Sequence, residues 1–251
     1  MTFPEAVPED PSASPASAPT AGLPPASSSV FMPDEDRLEN LVAQLYEAPD
    51  TQQTVDRFLS FAVEFLECDH ATVALRRRTA VIPAAATDEA SRSALAAQLE
   101  VGEGPCLTAI STGFSVLVPD TSAETRWPQW TRRVTPRGRS VFSIPLNASG
   151  STLGALNLTG DHPHTFDAAD IKAPRLATYG AVAIASAQQQ DSLLEAMEAG
   201  KRIGQAVGIL RERFNIDDVR AFEILRRYSQ DSNTKLRAVA QHLLDSGRLP
   251  K

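Results

Sequence analysis

Apolar residues first recur at helical spacing from Asp34 onward. Leu38, Leu41, Val42, Leu45 and Tyr46 mark one face, and after a break at Pro49 the set Val55, Phe58, Leu59, Ala62, Val63 and Leu66 marks another. Two amphipathic helices are predicted. The period then shortens to β-rich runs at 71–78, 80–87, 114–120, 140–147 and 151–159, divided by Gly, Pro, Asn or polar segments, with a helical stretch at 88–100. Asn-Ala-Ser-Gly-Ser at 147–151 suits a hairpin turn between the last two strands. This order predicts an α+β domain: an antiparallel sheet flanked by helices.

An Ala-rich helix follows over 167 to about 199, carrying Leu176, Val182, Ile184, Leu193, Leu194 and Met197; Pro174 either kinks it or marks its real beginning. It connects to three shorter amphipathic helices. The first carries Ile203, Ala206, Val207, Leu210 and Phe214. The second, opened by Asp217 and Asp218, carries Ala221, Phe222, Leu225 and Tyr228, and the third carries Leu236, Val239, Ala240 and Leu243. The expected division is a tail over 1–33, a sensor-sized domain over 34–190 and a small helical bundle over 191–251. The tail holds eight of the 18 prolines and no Lys or Arg, a composition that buries too little apolar surface to order itself.

Composition narrows the classes. A hydrophobic fraction of 42% supports a core, and no apolar run reaches the length that spans a bilayer. The N-terminus lacks the basic-then-apolar pattern of a secretory signal, so a cytoplasmic protein is expected. Cys68 and Cys106 are too few for a disulfide scaffold or a paired-thiolate zinc site, and reduced structural thiols are expected. The net charge of -7 argues, as an average, against nucleic acid. Residues 201–240 depart from it, with nine basic residues against five acidic, a net of +4 that leaves -11 on the rest of the chain. That asymmetry predicts a polyphosphate-binding function confined to one end.

The string at 201–250 resembles the ANTAR domain, a three-helix RNA-binding module of bacterial transcription antiterminators. The resemblance rests on Arg202, Gln205-Ala206 and Gly208 in the first helix, and on Ala221-Phe222 and Leu225-Arg226 in the second. Tyr228-Ser229-Gln230, Asn233 and Lys235-Leu236 then lead into the third. Many members carry Lys where this chain has Val207. Residues 34–190 resemble a GAF domain of the actinobacterial type found fused to ANTAR modules, through Val101–Gly113, Arg126–Trp130, Ser140–Leu146 and Leu153–Leu158. The resemblance implies a signal-responsive regulator that binds paired stem-loops in nascent mRNA and causes antitermination. It also implies a homodimer, with a small-molecule signal at the GAF-like half. The chemistry implied is binding, with no catalytic residue, cofactor or metal.

Within that frame the candidate RNA-binding residues are Lys201, Arg202, Gln205, Gly208, Arg226, Arg227, Tyr228, Ser229, Gln230, Asn233, Lys235 and Arg237. Guanidinium groups suit phosphate oxygens, while aromatic, amide and cationic groups at one turn suit unpaired bases. Plainer readings compete with this for several of them. Arg220, Glu223, Arg226 and Arg227 form a solvated, ion-paired face; Tyr228 packs in the core; Asn233 caps the third helix. Gly200, Gly204 and Gly208 weaken a helix by up to about 1 kcal/mol each, so close approach of a helix or nucleic acid, or a flexible joint, is expected there.

In the GAF-like half, Cys106, Trp127 and Trp130 are candidates for a ligand pocket, against the alternative of apolar cover for the sheet. Cys106, at a turn into a helix, also raises redox sensing, and His162 and His164 raise a metal site against simple loop decoration. Two other functions stay open: a methionine sulfoxide reductase-like redox enzyme, and a helix-turn-helix protein that binds duplex DNA.

Overall fold

A computed structural model describes residues 34–133, 139–166 and 172–249. The predicted tail over 1–33 and the start of the connecting helix at 167–171 lie outside the described residues. Helices α1 (Asp34–Tyr46) and α2 (Thr51–Leu66) form where the period placed them. Asp50 caps α2 by accepting from the Gln53 N–H. Leu38, Leu41 and Leu45 are buried, whereas Val42 and Tyr46 from the same predicted stripe are exposed.

Strands β1 (His70–Arg77), β2 (Ala80–Ala86), β3 (Val116–Val118), β4 (Ser140–Ala148) and β5 (Ser151–Gly160) form one antiparallel sheet in the order β2-β1-β5-β4-β3. The β4–β5 hairpin closes on Ser149 and Gly150, both at positive φ, as a two-residue turn between strands with right-handed twist requires. Alternation along the strands divides two cores. Val73, Leu75, Phe142, Ile144, Leu156 and Leu158 meet α1, α2 and the later long helix. Ala74, Ala155 and Val141 face the other way, under α3 (Glu89–Val101), α4 (Pro105–Thr112) and the short α5 (Pro128–Thr131).

The long helix α6 runs without interruption over Lys172–Phe214, 43 residues. It joins in one rod the connecting helix and the first helix of the C-terminal bundle, which the sequence pattern had separated. Pro174 lies in its first turn, where no preceding carbonyl is deprived of a donor. Gly200, Gly204 and Gly208 leave the rod unbroken, and a Cβ built at any of them meets nothing within 4 Å. Gly180 is different. A Cβ there would lie 2.3 Å from the Phe58 ring, so the missing side chain lets α2 pack directly on α6.

Helices α7 (Asp218–Asp231) and α8 (Leu236–Ser246) complete the bundle around Ala206, Leu210, Ala221, Leu225, Val239, Ala240 and Leu243. Among the described residues, no helix is long and apolar enough to cross a membrane.

Candidate functional site

The bundle presents its cations through a fixed turn. Asp217 caps α7 by accepting from the Arg220 N–H at 2.8 Å, with Asp218 beside it in the positive first turn. At the other end Ser229 Oγ donates to the Thr234 carbonyl at 2.6 Å while the Thr234 N–H donates to the Ser229 carbonyl at 3.0 Å. Asn233 takes φ 49°, the left-handed conformation that Asn tolerates. Helix α8 begins after Lys235, without a side-chain cap, so Asn233 serves the turn and does not cap the third helix.

Every candidate in this half is exposed except Ser229, which is half-buried and spends its hydroxyl on the turn. Lys201, Arg202, Gln205 and Gly208 lie on the α6 segment of the bundle, Arg226, Arg227, Tyr228 and Gln230 on α7, Asn233 and Lys235 in the turn, and Arg237 in the first turn of α8. Tyr228 is 38% exposed, so it is not the core residue its position on the helical wheel suggested. Gln205 and Gly208 line a shallow groove with Ile209, Glu212, Arg213 and Leu244.

Ion pairing occurs in both halves, and in both it leaves cations over. In the sheet domain Arg57 and Arg76 donate only to the Gln44 and Ile110 carbonyls, and Arg77, Arg78 and Arg132 meet no carboxylate among the described residues. In the sheet domain Arg37, Arg92, Arg126, Arg133, Arg139, Lys172 and Arg175 each meet a carboxylate. In the bundle Arg211 pairs with Asp218, Arg227 with Asp231 and Arg237 with Glu195. Lys201, Arg202, Arg220, Arg226 and Lys235 meet no carboxylate among the described residues. These five, spread over α6, α7 and the turn before α8, carry charge that no carboxylate among the described residues offsets by direct pairing, a condition under which an incoming polyanion gains. Arg213 joins them, with only the Gly247 carbonyl as partner among the described residues.

The sheet domain holds a cavity of about 70 Å³ between α3, α5 and the sheet. Asn157 and Thr159 form its floor, Leu95 and Gln98 one wall, and Trp130 and Arg133 another. Asn157 accepts from Ser143 Oγ at 2.8 Å and donates to Thr72 Oγ1 at 3.2 Å, a polar strut buried across three strands. At the rim His70 Nδ1 lies 2.8 Å from Asp88 Oδ2 and its Nε2 lies 3.5 Å from Asp161 Oδ1. Partial burial works to raise the Asp88 carboxyl. Hydrogen bonds from the Ser91 N–H and Oγ, from Thr87 Oγ1 and from His70 outweigh it and hold the group well below the usual carboxylate range.

The three pocket candidates are divided by the fold. Trp130 lines this cavity. Trp127 lines a neighbouring one with Arg76, Arg78 and Glu103, and packs edge-on against Trp130 with ring centroids 5.8 Å apart, both rings also covering β3 and β4. Cys106 is fully buried beneath, lines neither cavity, and donates its N–H to Gln98 Oε1 at 2.8 Å.

Burial pushes the Cys106 thiol up to about 12 and the Cys68 thiol to about 11. The helix N-terminus expected to activate Cys106 is outweighed by desolvation. Cys68 packs in the core on the opposite face of the sheet, which denies the two sulfurs the proximity an attacking and resolving pair needs. His162 and His164 are exposed in the loop after β5, where the His164 N–H donates to the Pro119 carbonyl. Among the described residues no group of three metal-ligating side chains converges.

Sequence reasoning missed His70, Asp88, Gln98, Arg133, Asn157 and Thr159. They come from five separated segments, and no local spacing joins them. It also missed that Phe222, placed on the apolar face of α7, is 40% exposed.

Compared with known proteins, residues 48–185 match the family model of the GAF domain and residues 191–244 that of the ANTAR domain. No curated protein matches at a significant level. Among solved structures, the GAF domain of Acinetobacter phosphoenolpyruvate-protein phosphotransferase is similar at 15% identity, with 62% of this chain and 94% of that chain covered and a TM-score of 0.51. A free methionine-R-sulfoxide reductase from Neisseria meningitidis is similar at 17% identity over 62% of this chain and 91% of that chain, with a TM-score of 0.49. At these identities, likeness speaks to the fold alone.

Proposed function

Because the chain belongs to the GAF domain family, its match covering more than half of the sequence, and carries an ANTAR domain after it, we propose a signal-responsive regulator that binds stem-loops in nascent mRNA and prevents termination. GAF domains are signal-sensing modules and ANTAR domains are RNA-binding antitermination modules. The observation that carries the reading is the set of five exposed cations in the ANTAR segment whose side chains have neither a carboxylate nor a carbonyl partner among the described residues, Arg213 being the sixth without a carboxylate but held by the Gly247 carbonyl. They would neutralise RNA phosphates while Tyr228, Gln230 and Asn233, beside the α7–α8 turn, meet loop bases. Binding a stem-loop that competes with the terminator hairpin shifts the equilibrium by the protein's differential affinity for the two RNA folds. No step of the reading requires catalysis, and transcription places it in the cytoplasm.

The signal in this proposal is a small molecule in the cavity beside Trp130. Helix α6 carries its effect, since α6 packs on the sheet at Leu176 and Ile184 and reaches the bundle core at Ala206 and Leu210. One further bond ties the two halves: Asp191, where the ANTAR match begins, accepts from the Thr51 N–H of α2 at 3.1 Å. The same helix exposes Val182, Leu193, Leu194 and Met197, an apolar side suited to a second copy, so that two ANTAR domains meet two stem-loops.

The test is fluorescence anisotropy with a hairpin RNA and a duplex DNA at matched salt. Preferential hairpin binding that weakens with salt is expected, and Arg226→Ala or Lys235→Ala should each cost on the order of 1 kcal/mol and lower the log-log salt slope by about 0.7 to 0.9. Salt-independent binding, or preference for the duplex, would count against an RNA regulator.

A further inference from the structure

We propose that Phe222 is a stacking platform for one unpaired base in the loop of the bound RNA; this rests on the RNA-binding function proposed above. Phe222 is 40% exposed although it sits in a helix fixed on both sides, by the Asp217 cap and by the buried Ala221 and Leu225. It takes no part in the apolar core of the bundle, which is built from Ala, Leu, Ile and Val. Its backbone is therefore fixed, and part of its ring is left open to solvent.

Its neighbours decide what covers it. On a helix, residues four apart stand one above the other, so Phe222, Arg226 and Gln230 form a single ascending row that ends at the α7–α8 turn. Arg226 meets no carboxylate among the described residues. An aromatic face beside an uncompensated guanidinium and an amide matches the three needs of an unpaired nucleotide: stacking, phosphate charge and base-edge hydrogen bonds. A protein partner docking on this row would have to bring a carboxylate to Arg226 and an apolar group to Phe222 together, since burying the guanidinium unpaired is costly. A nucleotide supplies the flat apolar face and the negative charge in one unit, which fits the Phe222–Arg226 pair and the +4 charge of residues 201–240. Tyr228 falls on the core-facing stripe itself, between Ile224 and Leu225 on the helical wheel, outside this row.

The experiment uses the full chain and a hairpin RNA selected by that chain from a pool with a randomised loop. Phe222→Leu keeps bulk and apolarity but removes the ring; it is expected to weaken hairpin binding by about 5- to 100-fold with the salt slope unchanged, while Phe222→Tyr stays near wild type. One abasic loop position should weaken the wild type by a similar factor and leave Phe222→Leu unaffected. 2-Aminopurine at that position should lose fluorescence when the wild-type chain binds. Full-strength hairpin binding by Phe222→Leu overturns the assignment, as does absence of quenching at every loop position. A lower sedimentation mass of Phe222→Leu without RNA also overturns it, by assigning the ring to a protein contact. Selection that yields no hairpin removes the RNA reading itself, whereas hairpin binding that ignores Phe222 removes this inference alone.

Discussion

Asp88 shows how one side chain closes several local accounts. It caps α3 through the Ser91 N–H, bonds Thr87 and Ser91 hydroxyls, and orients His70 at the cavity rim. Its folded-state pKa is depressed, so its contribution to stability is present above the ordinary carboxylate range and is lost as pH falls toward the folded value. Asp88→Ala should lower unfolding stability by about 1 kcal/mol at pH 7, and urea titrations should show the difference shrinking below about pH 4.

The two thiols make the opposite case. Both are buried and pushed upward, so neither should react with a thiol reagent at pH 8 until the chain unfolds. The surroundings of Cys106 were not legible in the sequence, because Gln98 and Asn157 reach it only after the sheet and α3 have formed.

At the scale of elements, the short β-rich runs located every described strand to within a few residues, because β1, β4 and β5 are buried on both faces and read as apolar runs bounded by Gly, Pro, Asn or polar segments. Periodicity misjudged two helices for a physical reason. Two short helices packed on the end of α6 bury little of α7, so Ala221 and Leu225 suffice there while Phe222, beside the stripe, and Tyr228, in the last turn, stay partly exposed. On α6, three glycines suggested a joint, yet helical hydrogen bonding runs through them.

The glycines also yield a paired prediction. Gly180→Ala should destabilise by about 1–3 kcal/mol, because its Cβ meets the Phe58 ring. Gly204→Ala and Gly208→Ala should raise stability by up to about 1 kcal/mol in the same melts, their Cβ atoms meeting open space.

At the scale of the molecule, the division of charge was legible before any fold: +4 over 201–240 against -11 elsewhere. Pairing adds to it only in part, because both halves leave some cations without a carboxylate, while the bundle pairs only Arg211, Arg227 and Arg237 among the described residues. Raising ionic strength should therefore weaken hairpin binding far more than it weakens folding, which rests mainly on the apolar cores. The comparison requires only anisotropy and thermal melts across one salt series.

A continuous α6 behaves as a drive shaft. Its helical hydrogen bonding is unbroken from the sheet to the bundle, so the angle between the two ends is set by the number of residues between them. Two residues inserted between Ala187 and Gln190 would swing the far end by about 200° and uncouple the parts, whereas seven would restore the phase to within about 20° at the cost of about 10 Å of reach. Any foreign sensor grafted onto this rod will work or fail by its angle of attachment.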